Sequence, residues 1–121
     1  MKITRSADAP EGPFVADTFS GPVTRRDYGT VETPDGTALL VRFPAGVRTH
    51  WHSHPGGQVL FVTEGIGRVG TRDGSVEPVE AGDVVVAPPD EEHWHGASEG
   101  TGVQHLALSF GATAWLEPVE D

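Results

Sequence analysis

A chain of 121 residues and 12.8 kDa has the size of one domain, and it buries enough apolar surface to fold without disulfide staples. Eighteen acidic side chains against 8 basic ones leave a net charge of −10, a field that repels a phosphate backbone or an anionic membrane and argues against either as a partner. The absence of cysteine rules out disulfides, thiolate nucleophiles, zinc fingers and iron–sulfur clusters, so any metal must take nitrogen and oxygen ligands.

The opening MKITRSADAP lacks the apolar stretch of a signal peptide, and no apolar run approaches the roughly 18 residues of a membrane span. A cytoplasmic location is expected. Residues 1–30 read as an arm or edge strand. Short β-forming runs follow at Thr37 to Phe43, Val59 to Thr63, Ile66 to Thr71, Val76 to Val79, Val84 to Ala87 and Val103 to Phe110. Turn signals separate them, among them Thr33-Pro34-Asp35-Gly36, Pro55-Gly56-Gly57, Glu64-Gly65, Arg72-Asp73-Gly74 and Ala81-Gly82-Asp83. The 16 glycines and 10 prolines therefore punctuate strands instead of forming one disordered tract. This pattern predicts an all-β sandwich or small barrel over residues 31–112 and excludes helical bundles and βαβ folds. Residues 113–121, around Trp115-Leu116-Glu117-Pro118, end the chain as a cap or tail.

All six histidines fall in three places: THWHSHPGGQ with His50, His52 and His54, EEHWHGA with His93 and His95, and VQHLALSF with His105. Residues i and i+2 of a strand share a face, so His52 with His54, and His93 with His95, each present two imidazoles together. Two such pairs on facing strands can close on one ion. Gln58 lies within reach of a tight Pro-Gly-Gly turn and supplies an oxygen, and imidazole with an amide oxygen suits divalent Mn, Fe, Co, Ni, Cu or Zn. A lone histidine is more often structural than ligating; clustering is what turns the reading toward a metal site.

The same residues carry a family resemblance. Gly46, five residues, His52-x-His54, three residues, Gln58, six residues and Gly65 resemble the first cupin motif. Gly82, Pro88 and His93 resemble the second. The sequence departs from the pattern at Gln58, where Glu is usual, at Asp90, where the motif has glycine, and at Ala97, where it has Asn. More narrowly, WHSHPGGQ followed by HWHGA is similar to the small single-domain cupins associated with carboxymuconolactone decarboxylases, a group that includes manganese-dependent hydroxynitrile lyases. The resemblance implies a cupin β-barrel, a double-stranded β-helix of jelly-roll type. It implies one divalent transition ion, manganese before Fe, Zn, Ni or Co, held by His52, His54, Gln58 and His93. His95 and His105 then line the pocket as candidate bases, Leu39, Val41 and Ser109 form its wall, and His50 stays at the mouth. Trp51 and Trp94, of opposite parity, are expected on the outer layer or at a dimer interface.

With Gln58 in place of a carboxylate every ligand is neutral, so the ion keeps its full charge and favours Lewis-acid chemistry. The expectation is therefore a lyase, decarboxylase or isomerase acting on a small polar organic molecule, with hydroxynitrile-lyase-like cleavage as the sharpest version. The alternatives are an iron-dependent dioxygenase and a small-molecule or metal-binding module without turnover. A homodimer is expected. An unshifted His95 or His105 would titrate near 6.5, which places the acid limb of activity near pH 6.

Overall fold

The computed structural model describes residues 4–32 and 35–121. A 3-10 turn at Ser6–Asp8 precedes ten strands: β1 Gly12–Pro13, β2 Thr24–Glu32, β3 Asp35–Phe43, β4 His52–Ser53, β5 Gln58–Thr71, β6 Val76–Glu80, β7 Val84–Ala87, β8 His93–Ala97, β9 Val103–Phe110 and β10 Ala114–Trp115. They run in the order β1-β2-β3-β9-β5-β8-β4-β10, with β6 and β7 attached to β5. The all-β fold read from the turn spacing is the fold found. The turn expected at Thr33-Pro34-Asp35-Gly36 lies partly outside the described residues.

One expected boundary is corrected. The runs on either side of Glu64-Gly65 are a single 14-residue strand, β5, and no reversal separates them. Its first residues pair with β7 and β9, and its last with β6 and β8, so one strand serves both walls of the barrel. A bulge between Val62 and Glu64 bends the strand where it changes walls. Gly65 permits the bend: it holds φ +78, and a side chain there would run into the backbone oxygen of Gly102. The glycine that reads as a turn is the hinge of a bulge. Asp90, at the motif's glycine position, keeps the left-handed conformation with φ +64, which aspartate tolerates better than most residues.

Alternation sets the inside of the barrel. Along β9, Val103, His105, Ala107 and Ser109 are buried while their neighbours are half-exposed. The register Phe43↔Val103, Val41↔His105, Leu39↔Ala107 and Thr37↔Ser109 carries β3 down the same interior. Val23, Val41, Phe43, Val62, Ala97 and Val103 form the packed core at the Phe43 end, and the polar interior begins where His105 follows. Trp94 is only 3% exposed, lying between the guanidinium groups of Arg48 and Arg68 at 5.1 and 5.4 Å, while Arg72 covers Trp51 at 4.1 Å. Within the chain, arginine guanidinium groups pack on both indoles. No helix among the described residues is long and apolar enough to cross a membrane.

Candidate metal centre

Cross-strand register assembles the site. His52 stands opposite His93 in the β4–β8 pair and opposite Trp115 in the β10–β4 pair. Gln58 stands opposite Ser109 in the β5–β9 pair. The Pro55-Gly56-Gly57 turn, closed by Gly57 N–H on the His54 oxygen at 3.0 Å, brings Gln58 back beside His54 as the sequence spacing anticipates. The resulting imidazoles are packed ring to ring: centroids lie 4.4 Å apart for His52–His93, 5.0 Å for His52–His54, 5.6 Å for His54–His93 and 5.1 Å for His52–His95. One ring nitrogen from each of His52, His93 and His95 lies within 4.8 Å of the others, and all three residues are buried.

Hydrogen bonds decide which nitrogen faces inward. His52 Nδ1 lies 2.9 Å from the His50 carbonyl oxygen, and His93 Nδ1 lies 3.0 Å from that of Glu91. A carbonyl only accepts, so each Nδ1 carries the proton and each Nε2 presents a lone pair. His50 thus contributes its backbone to the site and not its ring. Gln58 Nε2 donates to Ser109 Oγ at 2.9 Å, which leaves Oε1 3.0 Å from His93 Nε2. Two acceptors face one another there. Turning the amide over would give His93 Nε2 an N–H and the Ser109 hydroxyl an acceptor; the orientation seen instead points an amide oxygen and a ring lone pair at one another, the arrangement that a shared cation fits. His54 Nε2, also buried, has no partner at hydrogen-bond distance. Neutral nitrogens, an amide oxygen and an unsatisfied lone pair fit a divalent transition ion.

Burial keeps the rings uncharged. It pushes His52 down to about 3, with the neighbouring His93 adding to the effect, and His54 down to about 4 for the same two reasons, the nearby Gln58 side chain acting the other way. His93 is lowered by burial against the opposing pull of the Glu91 carbonyl. His105 falls to about 4 by burial, and His95 falls well below its ordinary value by burial and then by the neighbouring His105. The acid limb expected near pH 6 is therefore corrected downward: a desolvated imidazolium is costly here, and no carboxylate among the described residues lines the cavity to offset it.

His95 Nδ1 and His105 Nε2 are 3.2 Å apart, and both rings pack against Phe43, at 5.8 and 5.5 Å. The two candidate bases thus form one hydrogen-bonded pair. They open on a cavity of about 80 Å³, room for several waters or a small organic molecule. Leu39, Val41 and Ser109 line it, and His52, His54 and Gln58 share the lining. His93 reaches the cluster from the far side, beside Leu60 and Ala87. The set of ring nitrogens within 4.8 Å of one another contains His95 in addition to His52 and His93, and His54 is not part of it.

Sequence reasoning missed Phe14, Phe19, Thr113 and Trp115, which all line the cavity. They lie in the irregular ends of the chain, where no periodicity marks them. For Phe14, Phe19 and Trp115 the one signal the sequence carries is the presence of large aromatics in otherwise polar segments; for Thr113 it carries none.

A family model for the cupin domain matches residues 39–108. The chain is 41% identical over 128 residues to an (R)-mandelonitrile lyase of Granulicella tundricola, covering 100% of this chain and 96% of that one. A cupin-like protein from Thermotoga maritima shares 37% identity with a TM-score of 0.83 over 90% of this chain and 86% of that chain. A polyketide cyclase from Streptomyces resistomycificus shares the fold alone, with 20% identity and a TM-score of 0.77 over 100% of this chain and 87% of that one.

Proposed function

The chain belongs to the cupin family, and on that premise we propose that it is a metal-dependent lyase cleaving a small α-hydroxy nitrile of the mandelonitrile kind. The observation that carries the reading is the contact of His93 Nε2 with Gln58 Oε1 at 3.0 Å, two lone pairs that a shared cation would reconcile. The likeness to a mandelonitrile lyase over the whole chain supports the choice of reaction. His52, His54, His93 and Gln58 are the proposed ligands, and manganese is the ion proposed first, ahead of iron, zinc, nickel and cobalt.

A bound divalent ion would supply Lewis-acid polarisation of a substrate oxygen. The rest is the work of the chain. Phe14, Phe19, Leu39 and Trp115 give the organic part of the substrate an apolar wall. No charged side chain among the described residues lines the cavity, which favours an uncharged substrate over a dicarboxylate. His95, backed by His105, takes the hydroxyl proton; the carbon–carbon electron pair leaves with cyanide, and the imidazolium returns the proton to give an aldehyde and hydrogen cyanide. Atoms and charge balance without an oxidant.

Protein loaded with manganese, iron or zinc and assayed with racemic mandelonitrile for benzaldehyde release tests this reading. Turnover lost on chelation and restored by the ion is expected. Oxygen consumption in place of cleavage overturns the lyase reading in favour of a dioxygenase. Ligand binding without any turnover leaves a binding module.

The same reading has the chain act as a homodimer. Phe61, Val84 and Val86, on paired positions of β5 and β7, are 43%, 57% and 68% exposed on the outward face, an apolar patch of the kind that marks association. Two chains of net charge −10 approach most easily across such an uncharged face. Light scattering of wild type against a Phe61→Lys, Val86→Lys variant is the check: a wild-type monomer removes the dimer.

A further inference from the structure

Two of the clustered imidazoles take their orientation from their own neighbourhood: His52 and His93 each donate Nδ1–H to the carbonyl two residues upstream. His54 has no such carbonyl. Its Nδ1 faces the hydroxyl of Thr113 at 3.2 Å, a residue 59 positions further along the chain. We propose that Thr113 is a positioning residue of the metal centre, its hydroxyl accepting from His54 Nδ1–H and so turning His54 Nε2 toward the ion. The inference rests on the metal reading above.

A hydroxyl can donate as well as accept, so the direction needs an argument. His54 Nε2 is buried and has no hydrogen-bond partner. Were Thr113 the donor, that nitrogen would carry an N–H with no acceptor at hydrogen-bond distance, the nearby Gln58 oxygen lying instead against His93 Nε2 at 3.0 Å, a costly arrangement in a buried site. With Nδ1–H given to Oγ1, Nε2 presents a lone pair, which an ion satisfies. The same logic explains the two carbonyls, which can only accept.

Thr113 is itself held firmly. It precedes β10, whose Ala114 and Trp115 pair with Ser53 and His52. Leu116 N–H donates to the Trp51 oxygen at 2.8 Å and Trp51 N–H donates to that of Glu117 at 3.0 Å. Arg72 bridges Glu117 and Glu92, and Arg48 holds the Val119 oxygen at 3.0 Å and Asp121 at 2.6 Å. The Trp115 ring rests 4.7 Å from His52. The last residues of the chain are thus a strap tied over the His-x-His turn, and Thr113 is the point at which it reaches a ligand.

Thr113→Val, near in shape but without a hydroxyl, and Thr113→Ser, which restores it, test the proposal by two readouts. In metal-free protein, nitrogen-15 imidazole spectra, with the His54 signals assigned by a His54→Gln variant, should show His54 protonated at Nδ1 in wild type and Thr113→Ser. In Thr113→Val that preference should be lost. Manganese and zinc affinities by chelator competition should fall about 10- to 100-fold in Thr113→Val and recover in Thr113→Ser, with thermal midpoints close to wild type. A purely structural Thr113 would lower the midpoint and leave the tautomer alone, and that result, or equal affinities in all three proteins, overturns the proposal. Wild-type protein that takes up neither ion overturns the metal reading, and the tautomer measurement still decides what Thr113 does.

Discussion

Gln58 and Ser109 face each other across the β5–β9 pair, and the amide nitrogen donates to the serine hydroxyl at 2.9 Å. An amide has two faces of opposite polarity, so the residue that takes its nitrogen also decides where its oxygen points. Here the oxygen is sent to His93. Ser109, a pocket residue by sequence reading, thereby acts on the donor set as well as on the cavity wall.

Ser109→Ala should free the amide to turn. We expect metal affinity to fall about 10-fold with a stability loss of about 1 kcal/mol for the buried hydrogen bond. Chelator competition and urea unfolding of the two proteins measure both. Unchanged affinity would show that Gln58 holds its orientation without the serine, or does not touch the ion.

Gln58→Glu tests the charge of the site. A carboxylate is the stronger ligand for a divalent cation, so binding should be kept or tightened, while the local charge falls by one and small carboxylates bind more weakly. Titration of wild type and variant with acetate and glycolate reads the difference, and equal affinities count against Gln58 as a ligand.

His52→Ala or His93→Ala removes a ring whose Nε2 is directed at the centre and should abolish most metal uptake, since too few donors remain. Elemental analysis should give close to one ion per wild-type chain. His95 separates two roles. As a base, His95→Ala keeps the metal and lowers turnover by about 10²–10⁴-fold. As a ligand, which its place within 4.8 Å of His52 and His93 allows, it loses metal and turnover together. His105→Ala should keep the metal in either case, and a metal-dependent reaction that neither variant slows removes the pair from proton transfer.

Acid should destabilise the metal-free protein in a defined window. An unfolded histidine titrates near 6.5, whereas the fold holds His52 at about 3 and His54 and His105 at about 4. Between those values the unfolded chain binds protons that the folded chain refuses. Stability is therefore full above about pH 6.5 and is lost as pH falls toward 4, each such ring adding a slope of about 1.4 kcal/mol per pH unit. Thermal midpoints from pH 8 to pH 4.5 should fall only below about 6.5, and His105→Gln should flatten the decline. A midpoint indifferent to pH over that range would mean that the rings are not buried as a neutral cluster.

Strand parity is a local property, and what rests on it is legible in the sequence alone. His52 with His54, His93 with His95, and the inward face of Val103, His105, Ala107 and Ser109 all follow from a side-chain period of two, and the Pro-Gly-Gly turn that returns Gln58 is likewise written in adjacent residues. Local reading fails at Glu64-Gly65, because a positive-φ glycine serves a bulge inside a strand as well as a turn between strands, and only the partners of β5 distinguish the two. Which imidazole nitrogen faces inward, how far burial depresses each ring, and how Thr113 and Trp115 come to the site from the far end of the chain are decided by tertiary structure alone. Each depends on a register between strands distant in sequence, and a pairing of that range leaves no periodic trace in the residues it joins.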